Sequence, residues 1–521
     1  VGRTGARDQR SSSAQIHNKI RGSIMKRYWL GIDAGTTSIK CGVYQIDGRL
    51  VASADVPSRV TTPSEGQSEQ DMHAVWGAVQ ACIRAATKAI DVDQIESIGI
   101  AAQGDGFWAL DAENAPVGPA ILWNDTRAAA DVQDAYRSGA AKAISHACHT
   151  SIWPGTSGAV YSWLQRTDPA RAERVARIVY CAGWVGYCLT GVLATDYSDA
   201  SIPFYDVQKR EYSDSALSAL KAQGLAGKYL QPQLAGSISG RLSAEAAALT
   251  GLPLGLPVST GTLDLSAMIV GMGLNSPGDT MMIMGTTAVV NILTDKITRS
   301  DLPVGATVLH ANGALFTRVL APTTGAAAFD WFCALHPGSL GGDTPGEIAE
   351  KLNALAIDVP PGANGVLFLP HLNGERAPFV AANARGVFFG LSARSTKADM
   401  GRSVMEGAAM SLRHCFEAEY GARPSGTVHL TGGGARNGLW CQIIADIMGA
   451  TIEVSEVTDH GLWGAACLGA AANGAGDACT LAKRKEQTTQ YLPDPVAVGV
   501  YDAVFERYLV LSEASQKIWK S

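Results

Sequence analysis

Gly261-Thr262-Leu263-Asp264-Leu265-Ser266 opens the stretch on which the reading of this 521-residue chain turns. It continues through a small apolar run to Gly273, then Asn275-Ser276-Pro277-Gly278-Asp279, Thr280-Met281-Met282-Ile283-Met284 and Gly285-Thr286-Thr287. An acid stands on a glycine-led turn just after the apolar Leu256-Pro257-Val258. A Pro-Gly-Asp turn follows, and then an apolar strand runs into Gly-Thr-Thr. Glycine lets the backbone come close to an anion, and Thr hydroxyls and turn N–H groups can donate to phosphate oxygens. One segment therefore offers a candidate base and a candidate phosphate cradle on either side of a candidate hinge.

The device recurs near the start. Tyr28-Trp29-Leu30-Gly31-Ile32-Asp33 reads as a strand, Ala34-Gly35-Thr36-Thr37-Ser38 as a turn, and Ile39–Ile46 as the returning strand. A single Gly-Thr-Thr is ordinary turn chemistry. Two copies half a chain apart, each after an apolar strand and beside an acid, predict a duplicated fold with one phosphate loop per half.

The length calls for two or three domains. A 17% charged fraction is that of a globular protein. A net charge of −6 speaks against general nucleic-acid binding, which needs a basic surface. No apolar run reaches the roughly 18 residues needed to span a bilayer, so no membrane partner is expected. The ten cysteines are scattered without a C-x-x-C pair, the pattern of reduced thiols in a cytoplasmic protein. Residues 1–24 are Arg- and Ser-rich without apolar periodicity, and read as a disordered or artificially added extension ahead of Met25.

Along the rest, a three-strand meander (26–55), a helix from Met72 to Ala89 and a strand Ile95–Ala101 are predicted. Helices dominate to about Thr190, and residues 195–240 read as irregular. In the second half, strands at 314–320, 365–370, 427–430 and 451–454 alternate with helices at 323–336, 397–420, up to Met448, and 461–472. Alternation in both halves predicts an α/β protein with mixed sheets.

Several residue types carry candidate chemistry. Asp264 can act as the general base that phosphoryl transfer to an alcohol requires, and can equally cap the helix that follows; the two roles are compatible. Asp33 suits a magnesium shell, since Mg²⁺ takes few carboxylates, and suits a hairpin turn as well. Thr431–Asn437 follows a strand and opens a helix, where a nucleotide's ribose and phosphates can sit. It is neither a Walker loop nor G-x-G-x-x-G, and alone it reads as a tight link. Asp105, Asn124, Asp125 and Arg127 offer the paired donors and acceptors a polyol wants, against plain turn and cap roles. Trp153 can wall a sugar or fill a core. His146-Ala147-Cys148-His149 lacks a partner set for a metal.

Taken together, these stretches resemble the FGGY family of carbohydrate kinases over nearly all of residues 27–480. Asp33–Ser38 is similar to the family's first phosphate motif and Thr431–Asn437 to its adenosine motif. Gly386-Val387-Phe388-Phe389-Gly390-Leu391, with Asp399-Met400 and Ser403-Val404-Met405-Glu406, matches its C-terminal signature, and Asp264 falls at its catalytic aspartate. The resemblance implies two duplicated actin-like ATPase (ribonuclease H-like) domains with a cleft between them. A sugar-binding domain would cover 25–274 and a nucleotide-binding domain 275–521. ATP–Mg²⁺ would lie between them, its phosphates at Thr36, Thr37, Ser38, Gly285 and Thr286, its adenosine at Gly433, Gly434 and Asn437, and its metal at Asp33. The small-molecule sugar or polyol would meet Gln103, Gly104, Asp105, Trp153 and Asp264, and a homodimer is expected. Gln103-Gly104-Asp105-Gly106, Trp123–Arg127 and Ile152-Trp153 look closest to the L-xylulose kinase, or pentulose, branch. The first of these also resembles erythritol kinases; glycerol kinases have Arg-Glu where Gly104-Asp105 stands. One departure is Val160, where the family's N-terminal signature has a Lys. A nucleotide-binding regulator or chaperone-like ATPase of the same fold, and a kinase degenerated to sugar binding, are the other readings.

Overall fold

The computed structural model describes residues 27–297, 303–336 and 344–519; the extension expected at 1–24 lies outside them. Two lobes are each built on a mixed sheet. The first contains β1 (Tyr28–Ala34), β2 (Ser38–Gln45), β3 (Leu50–Pro57), β4 (Ile95–Ala102), β5 (Ile238–Arg241) and β6 (Pro257–Ser259), in the order β5-β6-β4-β1-β2-β3. β1 is apolar on both faces and takes the centre, antiparallel to β2 and parallel to β4. Helix α1 (Met72–Thr87) starts at Asp71, whose side chain accepts from the Ala74 N–H, and buries Met72, Val75, Val79, Cys82, Ile83 and Ala86 at helical spacing.

The second lobe contains β7 (Thr280–Met284), β8 (Ala288–Thr294), β9 (Ala306–Leu309), β10 (Phe316–Leu320), β11 (Val428–Thr431), β12 (Ile452–Ser455) and β13 (Thr488–Tyr491), ordered β9-β10-β8-β7-β11-β12-β13. Strand for strand, β7, β8, β10, β11, β12 and β13 repeat β1, β2, β3, β4, β6 and β5, and each neighbouring pair has the same sense. The duplication suggested by two Gly-Thr-Thr turns therefore extends across six strands, and β9 is an addition at one edge.

Four helices matter to the site: α2 (Asp264–Gly271), α3 (Lys397–Tyr420), α4 (Gly438–Met448) and α5 (His460–Ala472). α3 opens with a reciprocal capping box between Thr396 and Asp399. It buries Val404, Met405, Ala408 and Leu412 with Met282 and Met284 of β7. α2 and α5 are exchanged between the lobes. α2 follows the first sheet in sequence, yet its Ile269 packs with Met281 and Leu293 of the second sheet. α5 comes from the second half and packs on β1 and β4 of the first sheet.

The two helices cross at backbone contact. A Cβ on Gly464 would lie 1.9 Å from the Ala267 carbonyl oxygen, and one on Gly99 of β4 only 1.7 Å from that of Ala465. No larger residue fits either place. Both helices start at the same point, where Asp33 leaves β1. The lobes are also joined at one side by backbone bonds from Ser151 to Gly305 (2.8 Å) and from Thr307 to His149 (3.0 Å). Among the described residues no helix is long and apolar enough to cross a membrane.

Candidate active site at the junction of the lobes

Asp264 is the first residue of α2, and its Oδ1 accepts the Leu265 N–H at 2.6 Å. It thus serves the helix start with one oxygen, while Oδ2 takes no donor among the described residues. Burial raises its pKa first, the neighbouring Asp33 carboxylate second, and the Leu265 N–H offsets part of this; the result is pushed up to about 7. Asp33, at the end of β1, is raised to about 6 by burial, with Lys40 opposing and Asp55 adding. A Cβ at Gly461 would stand 3.9 Å from Asp33 Oδ2 and 4.0 Å from the Asp264 carbonyl, so the glycine that starts α5 leaves the floor of the junction open. Two carboxyls that resist ionising together, with no group of three ligating side chains among the described residues, suit a cation that keeps most of its waters and takes few protein ligands, as Mg²⁺ does.

The two Gly-Thr-Thr loops follow β1 and β7, the equivalent strands of the two sheets. In the β1–β2 loop Gly35 N–H bonds the Ser38 carbonyl at 3.0 Å. The Thr36 hydroxyl donates to Gln103 Oε1 (2.8 Å) and accepts from Trp123 Nε1 (3.2 Å), so it is spent inside the lobe. Thr37 is exposed and Ser38 partly so. In the β7–β8 loop the carbonyls of Gly285 and Thr286 accept from Ala326 and Gly325, and the Thr286 side chain is exposed. The Gly432–Arg436 turn is pressed against this second loop. Ile283 pairs with Thr431, and Gly432, at φ +96°, would place a Cβ 2.7 Å from the Met284 carbonyl oxygen. A Cβ on Gly433 would meet only the Arg436 guanidinium, at 3.8 Å, and Gly434 packs on the Met284 side chain. Asn437 accepts from the Trp440 N–H at 3.1 Å and caps α4, so its side-chain oxygen is committed to the helix.

On the sugar side the expected residues divide. Gln103 is 3% exposed, and its amide is engaged at both ends, by Thr36 and by Gln70 Oε1 at 2.7 Å; it braces the first phosphate loop. Gly104 is a glycine because the Leu263 side chain fills its place, with Cδ1 1.7 Å from where a Cβ would be. Asp105 is buried in the left-handed region, at φ +57°, and neither carboxyl oxygen has a hydrogen-bond partner. Burial raises its pKa well above the usual carboxylate range; the backbone N–H groups of Gly106 and Ser157 are near enough to moderate this without reaching hydrogen-bond geometry. Trp153 lies on a cavity of about 200 Å³ between the lobes, together with Trp123, Leu263 and Leu265 from the first and Ala306, Val308 and Arg376 from the second.

Two expectations are corrected. Asp125 and Arg127 are not free to grip a polyol: Arg127 forms a buried double contact to Asp125, at 2.8 and 2.9 Å, and pairs with Glu69. Asp125 also holds the Ser68 N–H, so the pair locks a turn. Residues 195–240 are not irregular throughout; Asp196 caps a one-turn helix, Tyr197–Ala200, that runs under the site.

The sequence reading passed over Trp123, Arg376 and Gly461. Trp123 stood inside a quoted motif whose polar neighbours drew the attention. Arg376 comes from a loop of the opposite lobe and gives no local signal. Its Nε donates to the Ala321 carbonyl at 2.8 Å, and burial holds its pKa below the usual range.

Two duplicated α/β lobes, exchanged helices at their junction, a buried carboxyl at that junction and glycine-rich loops define a two-lobed phosphotransferase of the actin-like ATPase type. Residues 28–271 match the N-terminal domain of the FGGY family of carbohydrate kinases, and residues 280–473 match its C-terminal domain. The chain belongs to that family and is a carbohydrate kinase. It is 29% identical to the L-xylulose/3-keto-L-gulonate kinase of Escherichia coli over 501 residues, covering 94% of this chain and 98% of that one. It is 31% identical to the erythritol kinase of Brucella abortus over 514 residues, covering 94% and 96%. A crystal structure described as a "xyloylose kinase" from Brucella ovis superposes with a TM-score of 0.86 at 27% identity, over 94% of this chain and all (100%) of that one.

Proposed function

We propose that this kinase transfers the γ-phosphoryl group of ATP to a hydroxyl of a ketopentose such as L-xylulose, with Asp264 as general base. The observation that carries the reading is Asp264 itself. It is a carboxyl raised to about 7 at the lobe junction, with one oxygen tied to the helix and the other without a donor among the described residues. A base with a pKa near the working pH combines sufficient ionisation with sufficient basicity. The exposed Thr37 and Thr286 and the Gly433 turn supply donors for the triphosphate, and Asp33 fits a hydrated Mg²⁺, which would neutralise phosphate charge when bound. Trp123 and Trp153 give a sugar's apolar edges flat walls, and Asp105 offers its hydroxyls a carboxyl. Closure of the lobes over the cavity would exclude water and limit ATP hydrolysis.

A small-polyol kinase acting on erythritol is the second reading. It is favoured by the 31% identity to the Brucella abortus enzyme. A coupled ADP-release assay over L-xylulose, D-xylulose, D-ribulose, erythritol and glycerol separates the two. Release with a pentulose far above the rest is the expected result. Preference for erythritol moves the assignment to the second reading, and ATP turnover indifferent to every sugar would overturn both.

A further inference from the structure

Three buried carboxyls lie around Asp264, and the fold treats them differently. Asp196 is 3% exposed and fully served: it accepts from the Ser198 N–H (3.0 Å), the Asp199 N–H (3.1 Å) and the Thr262 hydroxyl (3.0 Å). Asp199, three residues on, is 1% exposed, and its buried Oδ1 has no hydrogen-bond partner among the described residues. Asp105 is 3% exposed and in the same condition. Burial first, and then the neighbouring carboxylates of Asp196, Asp264 and Asp105, hold the Asp199 carboxyl well above the usual range. A Cβ on Gly104 would lie 3.5 Å from Asp199 Oδ1, which places that oxygen against the backbone that delivers Asp105.

The turn carrying Asp199 is also fixed to Thr262 and Leu263, the two residues that precede Asp264. Ser198 Oγ accepts the Leu263 N–H at 3.0 Å and meets the Thr262 hydroxyl at 2.8 Å. Asp199 therefore cannot shift without shifting the base. Buried polar groups are normally satisfied, and each one left bare is a cost that calls for a reason. The same loop satisfies Asp196 completely, so the bare state of Asp199 does not come from lack of local donors.

We infer that Asp199 is a specificity-determining residue which, together with Asp105, takes hydroxyls of the sugar other than the one that is phosphorylated. The ligand class this requires is a polyhydroxy chain with at least two free hydroxyls beyond the reacting one. The inference rests on the kinase reading above, and the test separates the two. The sugar of the panel that gives the highest ADP release is compared with its monodeoxy analogues, in the wild-type enzyme and in Asp199→Asn. In the wild type, one deoxy position should raise KM about tenfold or more, the effect of leaving a buried partner unmatched. Asp199→Asn should raise KM for the parent sugar by a similar factor, leave KM for ATP and the melting temperature unchanged, and abolish most of the penalty at that one deoxy position. A merely structural role would lower the melting temperature and leave every deoxy penalty in place, and that result overturns the inference while sugar-dependent ADP release keeps the kinase reading standing. Asp199→Ser, smaller and uncharged, repeats the cycle should the Asn variant fold poorly. If no sugar stimulates ADP release, the kinase reading falls and the inference with it.

Discussion

The two Gly-Thr-Thr loops occupy the same place in two copies of one sheet, and they are held in opposite ways. Thr36 is locked by side chains: its hydroxyl joins Gln103 and Trp123, and its carbonyl takes Gln70 Nε2 at 2.8 Å. Thr286 is held through its backbone, by Gly325, and its side chain is exposed. The first loop carries the acid floor with it, Asp33 on its strand and Asp264 beside it. The second has no carboxyl in its turn and presents donors. Duplication thus supplied two equal frames that side chains furnish differently: buried carboxyls and a hydrogen-bonded Thr36 in one lobe, an exposed Thr286 in the other.

Asp264→Asn tests this division most severely. Loss of the base should lower kcat by about a thousandfold, within the range general-base catalysis contributes, with the fold intact by circular dichroism. A variant that retains full turnover would remove Asp264 from the mechanism. Next comes the helix crossing that couples the lobes. Gly464→Ala forces a methyl to within 1.9 Å of the Ala267 carbonyl. It should cost about 2–3 kcal/mol through overpacking, read as a lower calorimetric midpoint. An unchanged midpoint would mean that the crossing yields easily.

The loops themselves are compared by one substitution made twice. Thr36→Val breaks a buried network and should cost about 1–2 kcal/mol of stability. Thr286→Val should change stability by less than about 0.5 kcal/mol while raising KM for ATP about tenfold by losing a donor to phosphate. Equal effects on both readouts would erase the contrast between the lobes. A further expected effect is on pH. The Asp264 carboxyl is lifted from 3.8 to about 7, so the folded protein holds a proton there that the unfolded chain has released. Its contribution to stability is therefore full below 3.8 and declines as pH rises to about 7. Asp264→Asn should accordingly gain stability relative to the wild type over that interval, while wild-type kcat/KM should rise with pH through the upper part of it. A pH-independent difference in stability would show that Asp264 titrates normally.

The stretch most specific to the family does little chemistry. Asp399 caps α3 and accepts from Asn364 Nδ2 at 2.8 Å. Glu406 holds Arg402, Tyr501 and the Gly362 N–H. Gly386–Leu391 provides the strand Val387–Phe389, which pairs with Leu367–Leu369. In this chain the signature's residues build the support beneath the second lobe, through caps, buried ion pairs and a strand pairing.

Periodicity, turn chemistry and two repeated motifs were enough to establish a duplicated α/β protein, to set the bounds of α3 at Lys397–Tyr420 and to single out Asp264 and Asp33, because each of those signals is local and acts over a few residues. Tertiary structure alone decided that α5 would lie under the first sheet, that Gln103 and Asn437 would spend their amides on bracing and capping, that Asp125 and Arg127 would neutralise each other, and that Asp199 and Arg376 would turn toward the junction. Those outcomes depend on which partner is nearest once distant segments pack together. A side chain's type states what it can bond, and only its surroundings determine whether that capacity is already taken.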